Sequence, residues 1–512
     1  MPTVSSKLTF PALRPSRTKI VATVGPASDS EEILTKLILA GVDVFRLNMA
    51  HGTPDQTQPR LDRIRAVSQK LELPVAVLVD LAGPKMRLGE IPGDVYDCDV
   101  DVPVHFVRGV KTTEPDSFTT TYEPLIDDLK PDDRVMLADG TVVLKVVKKE
   151  KDAITCQVVQ GGKVRSRQGV NLPGANLSVK TLQPADIENA IWAVKAGVDF
   201  LGMSFVRCAS DIHELRNILI ANAPGKKEDI PHIIAKIEKP EALVQLQEIV
   251  DATDGIMVAR GDLGVEVDIA QIAVIQKRII ETCRRHSKPV IVATQMLESM
   301  HHQTVPTRAE ATDVANAILD GTDACMLSGE SAVGNYPVEA VQMMHRIAVE
   351  TEKLLKTETS YAALERLVKT ISRDSEKPHG HLMARNHPRN HPGDGVNEAV
   401  CNNAVHLADQ LEASLLFVTS ISGKTALGLS KRRSFTITIG MSPSDVVLRR
   451  MCLYWGIVPI GGVPDDPRAK LETVVNAAKD AGYLVAGNRV VMISGIHSSA
   501  KIRNVIYVHL VE

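Results

Sequence analysis

Aromatic side chains are scarce in this sequence, at 3% of 512 residues. So few rings argue against a base-stacking platform for single-stranded nucleic acid. An excess of one charge is lacking too: 59 Lys and Arg stand against 62 Asp and Glu, a net −3. That leaves no basic footprint for nucleic acid and no acidic tail for a charged partner. No run of about 18 apolar residues occurs, so a membrane span is not expected. The opening stretch MPTVSSKLTFPALRPSRTK has no apolar core of the secretory type. The seven cysteines are odd in number and include no CxxC pair. A disulfide framework or cysteine-based zinc site is therefore not expected, and a reducing, cytoplasmic location is. Neither GxxxxGK[ST] nor GxGxxG is present, which excludes these two phosphate loops at motif level. What remains is 44% hydrophobic and 24% charged, ordinary for a globular protein. The length allows about three domains.

Eight short apolar runs, each followed by a helical pattern, span the first two thirds of the chain. They are Thr18–Gly25, Val42–Met49, Val75–Leu81, Asp199–Val206, His232–Glu238, Gly255–Arg260, Pro289–Gln295 and Asp323–Ser328. Runs without polar alternation fit parallel strands buried on both faces. Eight βα units predict a closed (β/α)₈ TIM barrel, with a Rossmann-type sheet as the alternative. Residues 88–169 interrupt the rhythm with Pro, Gly and Asp punctuation and a hairpin signal at Asp139-Gly140. They read as a small β-barrel lid domain inserted after the third strand. The barrel thus occupies 1–87 and 170–373, the latter ending in a helix from Pro337 to about Arg373. Residues 374–395 carry His379, His381, His387 and His391 among Pro and Gly. They read as a linker rather than a metal tract, because nothing there holds a fixed geometry. Strand candidates Ser414–Ser420, Phe435–Gly440, Val490–Gly495 and Val505–Val511 mark residues 396–512 as an open-sheet α/β regulatory domain.

In such a barrel the chemistry belongs at the C-terminal strand ends. Polar residues populate all of them from the second strand on. They are Arg46, Asn48 and His51; Asp80, Lys85 and Arg87; Ser204 and Arg207; Lys236 and Glu238; Arg260, Gly261 and Asp262; Thr294, Gln295 and Glu298; Ser328 and Glu330. Any one of these is compatible with a satisfied rim group. All together argue for function, because isolated buried charges are expensive. Glu238 and Asp262 are hard oxygen ligands suited to Mg²⁺ or Mn²⁺. Arg46, Arg87 and Lys236 supply charge for an anionic substrate, and Gly261 permits close backbone approach. Two carboxylates, a metal and several cations suggest phosphoryl transfer or enolate chemistry.

Several strings resemble the pyruvate kinase family: TKIVATVGPAS (18–28), FRLNMAHG (45–52), GVNLPGANLS (169–178), AKIEKPEAL (235–243), GIMVARGDLGVE (255–266), ATQMLESM (293–300) and PTRAEATDVANAILDGTDACMLSGESA (306–332). The resemblance is dense in the barrel and looser elsewhere. It implies transfer of the phosphoryl group of phosphoenolpyruvate to ADP, giving pyruvate and ATP as the last step of glycolysis. It also implies a homotetramer. Glu238 and Asp262 match the family's divalent-metal carboxylates. Lys236 matches the lysine at the transferring phosphoryl group, and Arg46 a phosphate-gripping arginine. Thr294 matches the threonine near the site of enolpyruvate protonation. The backbone of Ala259, Arg260, Gly261 and Asp262 matches the segment that receives the substrate carboxylate. Pro26, His51 and Arg87 match nucleotide-side positions.

The chain departs from the family pattern at the monovalent-cation site. The matching positions are Asn48, Ala50, Asp80 and Leu81, so two of four oxygen ligands are missing. Lys85 stands where K⁺-dependent members have Glu. Leu81, Lys85 and Leu88 resemble the K⁺-independent subset, and Lys85 is expected to stand in for K⁺. Gln168 replaces a Lys of the nucleotide side. Ser420, Ser422, Gly423, Lys424 and Thr425 resemble the family's effector loop for phosphorylated ligands. The matching final loop, 495–501, has less Gly and Pro than usual. A carbon–carbon lyase on a related barrel would need neither the lid nor His51 and Arg87. A non-catalytic regulator would not need Lys236, Glu238, Asp262 and Thr294.

Overall fold

The computed structural model describes residues 10, 15–138, 140–175, 178–225, 230–373, 394–461, 467–495 and 504–512, with side chains described throughout except at 51, 358–373, 394, 467–470 and 495. Eight strands form a closed barrel: β1 Lys19–Thr23, β2 Val44–Asn48, β3 Ala76–Asp80, β4 Phe200–Met203, β5 His232–Ile237, β6 Gly255–Ala259, β7 Val290–Ala293 and β8 Ala324–Leu327. They follow one another around the ring in sequence order, and β8 closes on β1. The pairings run parallel, with Val21 opposite Val44, Lys236 opposite Met257 and Ala259 opposite Ala293. Each strand lies inside one of the eight apolar runs. β1, β3, β4, β6, β7 and β8 are buried at every position, as strands covered on both faces must be.

The chain divides into two compact units. One comprises 48–57 and 79–295 and so carries β4 to β7 and the insertion. Its six-stranded sheet runs in the order Val170–Asn171, Arg134–Leu137, Val142–Lys149, Ala153–Gln160, Pro103–Val107, Ser117–Phe118. Beside it Val95–Cys98 pairs with Gly162–Arg165. Inward residues such as Leu144, Ile154, Phe106 and Phe118 form the insertion's own core. Among the described residues of the insertion, a four-residue helix, Leu125–Asp128, interrupts the β structure.

The other unit comprises 1–47, 58–78 and 296–512. Ser30 caps the helix Glu31–Ala40 by accepting from Ile33 N. Asp29, beside it, instead pairs with Arg60 and Arg63. The long helix runs Pro337–Arg373, as the sequence predicts. The C-terminal sheet has the order Ile457–Ile460, Ile437–Met441, Leu415–Thr419, Arg489–Gly495, Asn504–Leu510, with the last strand antiparallel. Ile457–Ile460 has no counterpart among the sequence candidates. Its Pro459 reads as a breaker, and the strand survives because it lies at the sheet edge. Within this unit the fully buried Asp323, just before β8, accepts from Lys431 Nζ at 2.6 Å and Arg433 Nη2 at 3.1 Å. The His-bearing segment 374–393 and the loop 496–503 lie outside the described residues.

Candidate active site

β5 delivers two charges to the barrel's C-terminal end. Lys236 and Glu238 lie two apart, the period that puts side chains on the same face of a strand. Both are buried. Lys236 Nζ lies 2.8 Å from Glu238 Oε1 and 3.3 Å from Asp80 Oδ2, and donates to Ser204 Oγ at 2.7 Å. Ser204 Oγ in turn donates to the Leu81 carbonyl at 2.7 Å. One ammonium thus stands between two carboxylates and a hydroxyl drawn from the ends of β3, β4 and β5. Gly202 makes room for this: a Cβ there would meet Asp80 Oδ1 at 2.7 Å.

Glu238 Oε2 accepts from Phe205 N at 2.8 Å. Phe205 turns its amide inward from a left-handed conformation, φ +56°. Glu238 Oε1 is close to Lys236 but receives no well-directed hydrogen bond. A fully buried carboxylate oxygen in that state has a free lone pair for a further positive partner. Burial pushes the Glu238 carboxyl above the usual glutamate range; Lys236 opposes this and Asp262 adds to it. Asp262 lies in the first turn of the helix Arg260–Glu266 that follows β6. Two carboxylates under mutual repulsion at neighbouring strand ends fit a hard divalent cation.

Thr294, just after β7, adopts φ +67° and Gln295 φ +54°. A β-branched residue in the left-handed region is an outlier held by its surroundings. Here the holder is Arg260. Its buried guanidinium donates to the Thr294 carbonyl at 2.7 Å and to the Gln295 carbonyl at 3.1 Å. Thr294 Oγ1 accepts from Gly261 N at 2.8 Å and donates to the Ala293 carbonyl at 2.7 Å. The side chain of Arg260 therefore fastens the β7 end rather than offering charge to solvent.

A cleft of about 850 Å³, counting its open mouth, is lined by Lys85, Asn171, Phe205, Lys239 and Asp262 among others. Lys85 is exposed in this wall, with no ion-pair partner among the described residues. Sequence reasoning passed over Lys239 and Glu266, a buried pair at 2.6 Å beside the cleft. Lys239 Nζ also lies 5.8 Å from the Phe205 ring centroid. The usable signal was a further charged residue just past a barrel strand, as Lys239 stands two residues after the end of β5.

The remaining predicted residues are placed as follows. Asn48 Oδ1 accepts from Ala50 N at 3.1 Å and caps the turn after β2. His51 ends that turn. Arg87 is half-buried and donates to the Arg167 carbonyl at 3.2 Å. In the other unit, Arg46 donates to Thr23 Oγ1 at 3.1 Å and Pro26 is exposed. Ser420 and Ser422 lie between the strand Leu415–Thr419 and the seven-residue helix Lys424–Ser430. Gly423 caps that helix in a left-handed conformation, and Thr425 donates to Asn397 Oδ1 at 3.0 Å.

Fold and site together define a TIM-barrel enzyme with a carboxylate–lysine cluster at its strand ends. The family model described as "Pyruvate kinase, barrel domain" matches residues 15–341, and that for "Pyruvate kinase, alpha/beta domain" matches 398–509. Pyruvate kinases of Staphylococcus aureus strains MRSA252, bovine RF122 / ET3-1 and USA300 are each 36% identical to this chain over 505 residues, covering 97% of it and 80% of their own length. The chain belongs to the pyruvate kinase family and is a phosphotransferase.

Proposed function

We propose that this enzyme transfers the phosphoryl group of phosphoenolpyruvate to ADP. The observation that carries the reading is the buried cluster of Lys236, Glu238, Asp80 and Ser204 on three neighbouring strand ends. The bond from phosphorus to the enol oxygen breaks, and a β-phosphate oxygen of ADP forms the new one. The electron pair left on the enol oxygen collapses as carbon takes a proton, giving pyruvate and ATP. Lys236 holds positive charge where the phosphoryl group and the enolate become most negative, without reorganisation at the moment of reaction. Arg46 grips phosphate. The amides around Gly261 and Asp262 receive the substrate carboxylate at a helix N-terminus. Thr294 orients the proton delivered to carbon. Glu238 and Asp262 would hold Mg²⁺ or Mn²⁺, which supplies Lewis-acid charge and a template when bound. Pro26, His51 and Arg87 serve the nucleotide, and residues 88–169 form a lid that excludes water.

The same reading makes catalysis independent of K⁺. Lys85, exposed in the cleft wall, provides the monovalent charge, and the side chain at position 81 is a buried leucine. The residues around Ser420–Thr425 would serve a phosphorylated effector, the assembly would be a homotetramer, and the seven unpaired cysteines support a cytoplasmic setting. ³¹P NMR tests the reaction. The phosphoenolpyruvate signal is expected to convert to the γ-phosphate of ATP only with ADP and Mg²⁺ present. Release of inorganic phosphate or pyruvate without ADP would instead favour a lyase or hydrolase.

A further inference from the structure

Another set of ligand-type side chains stands at the ends of β7 and β8, made of residues the phosphoryl-transfer reading does not use. Glu298 and His301 lie on the 3-10 turn Glu298–His301, and Glu330 on the short helix Gly329–Ala332. Each offers one ligand atom, and the three atoms lie within 4.8 Å of one another. His301 Nε2 is 3.7 Å from Glu298 Oε1 and 4.0 Å from Glu330 Oε2. Both gaps are too long for a direct N–H···O bond. They are near the spacing of ligands around one shared cation, roughly 3.3–3.6 Å for tetrahedral metal–ligand bonds of about 2.0–2.2 Å.

The state of the imidazole is a separate observation. His301 Nε2 is buried and has no hydrogen-bond partner among the described residues, where a buried ring nitrogen ordinarily finds one. The ring is held in place. A Cβ on Gly329 would come 2.3 Å from Nε2 and 2.2 Å from Cε1, so only glycine admits it there. The His301 carbonyl accepts from Asn335 N at 2.9 Å. Glu330 is fully buried and aimed by two amides, Leu297 N to Oε1 at 3.0 Å and Ser328 N to Oε2 at 2.7 Å. Such outer bonds orient a ligating carboxylate and leave it lone pairs to give. Among the described residues, neither Glu298 nor Glu330 pairs with a lysine or arginine.

We propose that Glu298, His301 and Glu330 form a binding site for a first-row transition dication of the Zn²⁺ or Mn²⁺ class, additional to the Glu238–Asp262 pair. One imidazole and two carboxylates select against Mg²⁺ and Ca²⁺, which favour oxygen alone. Three protein ligands leave a further position for water. Bound metal would tie the turn after β7 to the helix after β8 and stabilise the fold by mass action.

The test titrates the chelator-treated full chain with Zn²⁺ by calorimetry, in an Asp262→Asn background that disables the other pair. One tight equivalent per chain is expected. His301→Gln and Glu298→Gln should each weaken it by more than the ~10–100-fold typical of outer-shell changes. Glu298 is half exposed, so its variant should fold even if His301→Gln does not. Circular dichroism checks both. Binding unchanged in either folded variant would overturn the proposal. So would a thiolate charge-transfer band in the Co²⁺ form, which would place the metal on cysteine.

Discussion

Lys236 is the residue on which most depends. Its ammonium is the positive group nearest two buried carboxylates, Asp80 and Glu238. Replacing it with Met removes charge stabilisation of the transition state, for which losses of about 10²–10³-fold in kcat are typical of a single donor. The substitution also takes the ammonium away from two buried carboxylates, and removing one partner of a buried pair costs about 3–5 kcal/mol. Chemical denaturation is therefore expected to show a loss of stability alongside the kinetic loss.

Glu238 gives a pH prediction. Its folded pKa lies above the ordinary glutamate value, so in the metal-free protein it favours the fold most at low pH. That contribution is lost as pH rises from the ordinary glutamate value through the raised one. Metal binding needs the ionised form, so apparent Mg²⁺ affinity should rise with pH over the same window. Glu238→Gln should flatten both trends. Mg²⁺ titrations and thermal unfolding at several pH values check this. An equally steep pH dependence in the variant would contradict it.

At the scale of elements, strand ends explain more than helices do. The left-handed pair Thr294–Gln295 is fastened by one buried arginine. Arg260→Met leaves two carbonyls without their charged donor and is expected to cost roughly 2–3 kcal/mol. It should lower kcat as well, because Thr294 loses its fixed position. Thermal unfolding with steady-state kinetics measures both, and an unchanged kcat would disconnect Arg260 from the site.

The barrel strands were legible for a simple reason. Apolar runs buried on both faces have no competing period, and all eight lie where the runs place them. The Ile457–Ile460 strand was not legible, because the rule that marks proline as a breaker has an exception at sheet edges. Lys236 and Glu238 announced themselves as charges inside an apolar run. His301 and Lys239 did not, since their partners Glu330 and Glu266 are distant in sequence and only the fold joins them. Arg260 was visible as a residue, but its turn back onto Thr294 depends on φ angles that sequence does not display.

At the scale of the whole molecule, Asp323, just before β8, ties that strand to the segment Lys431–Arg433 of the same unit. That carboxylate is fully buried between Lys431 and Arg433, and Arg433 also stacks 4.7 Å from the Trp455 ring centroid. Asp323→Asn should destabilise the chain by about 3–5 kcal/mol, as breaking a buried pair does. A shift of the denaturant midpoint reads this directly, and no shift would show the pair to be incidental.

The proposed coupling of phosphoenolpyruvate to ADP runs through Lys236. The decisive measurement is the yield of pyruvate and of ATP from phosphoenolpyruvate, ADP and Mg²⁺ in K⁺-free buffer, for the parent chain and for folded Lys236→Met. Equimolar pyruvate and ATP from the parent, with a rate about 10²–10³-fold lower in the variant, is the predicted result. Equal rates in both proteins, or pyruvate formed without ATP, would contradict it.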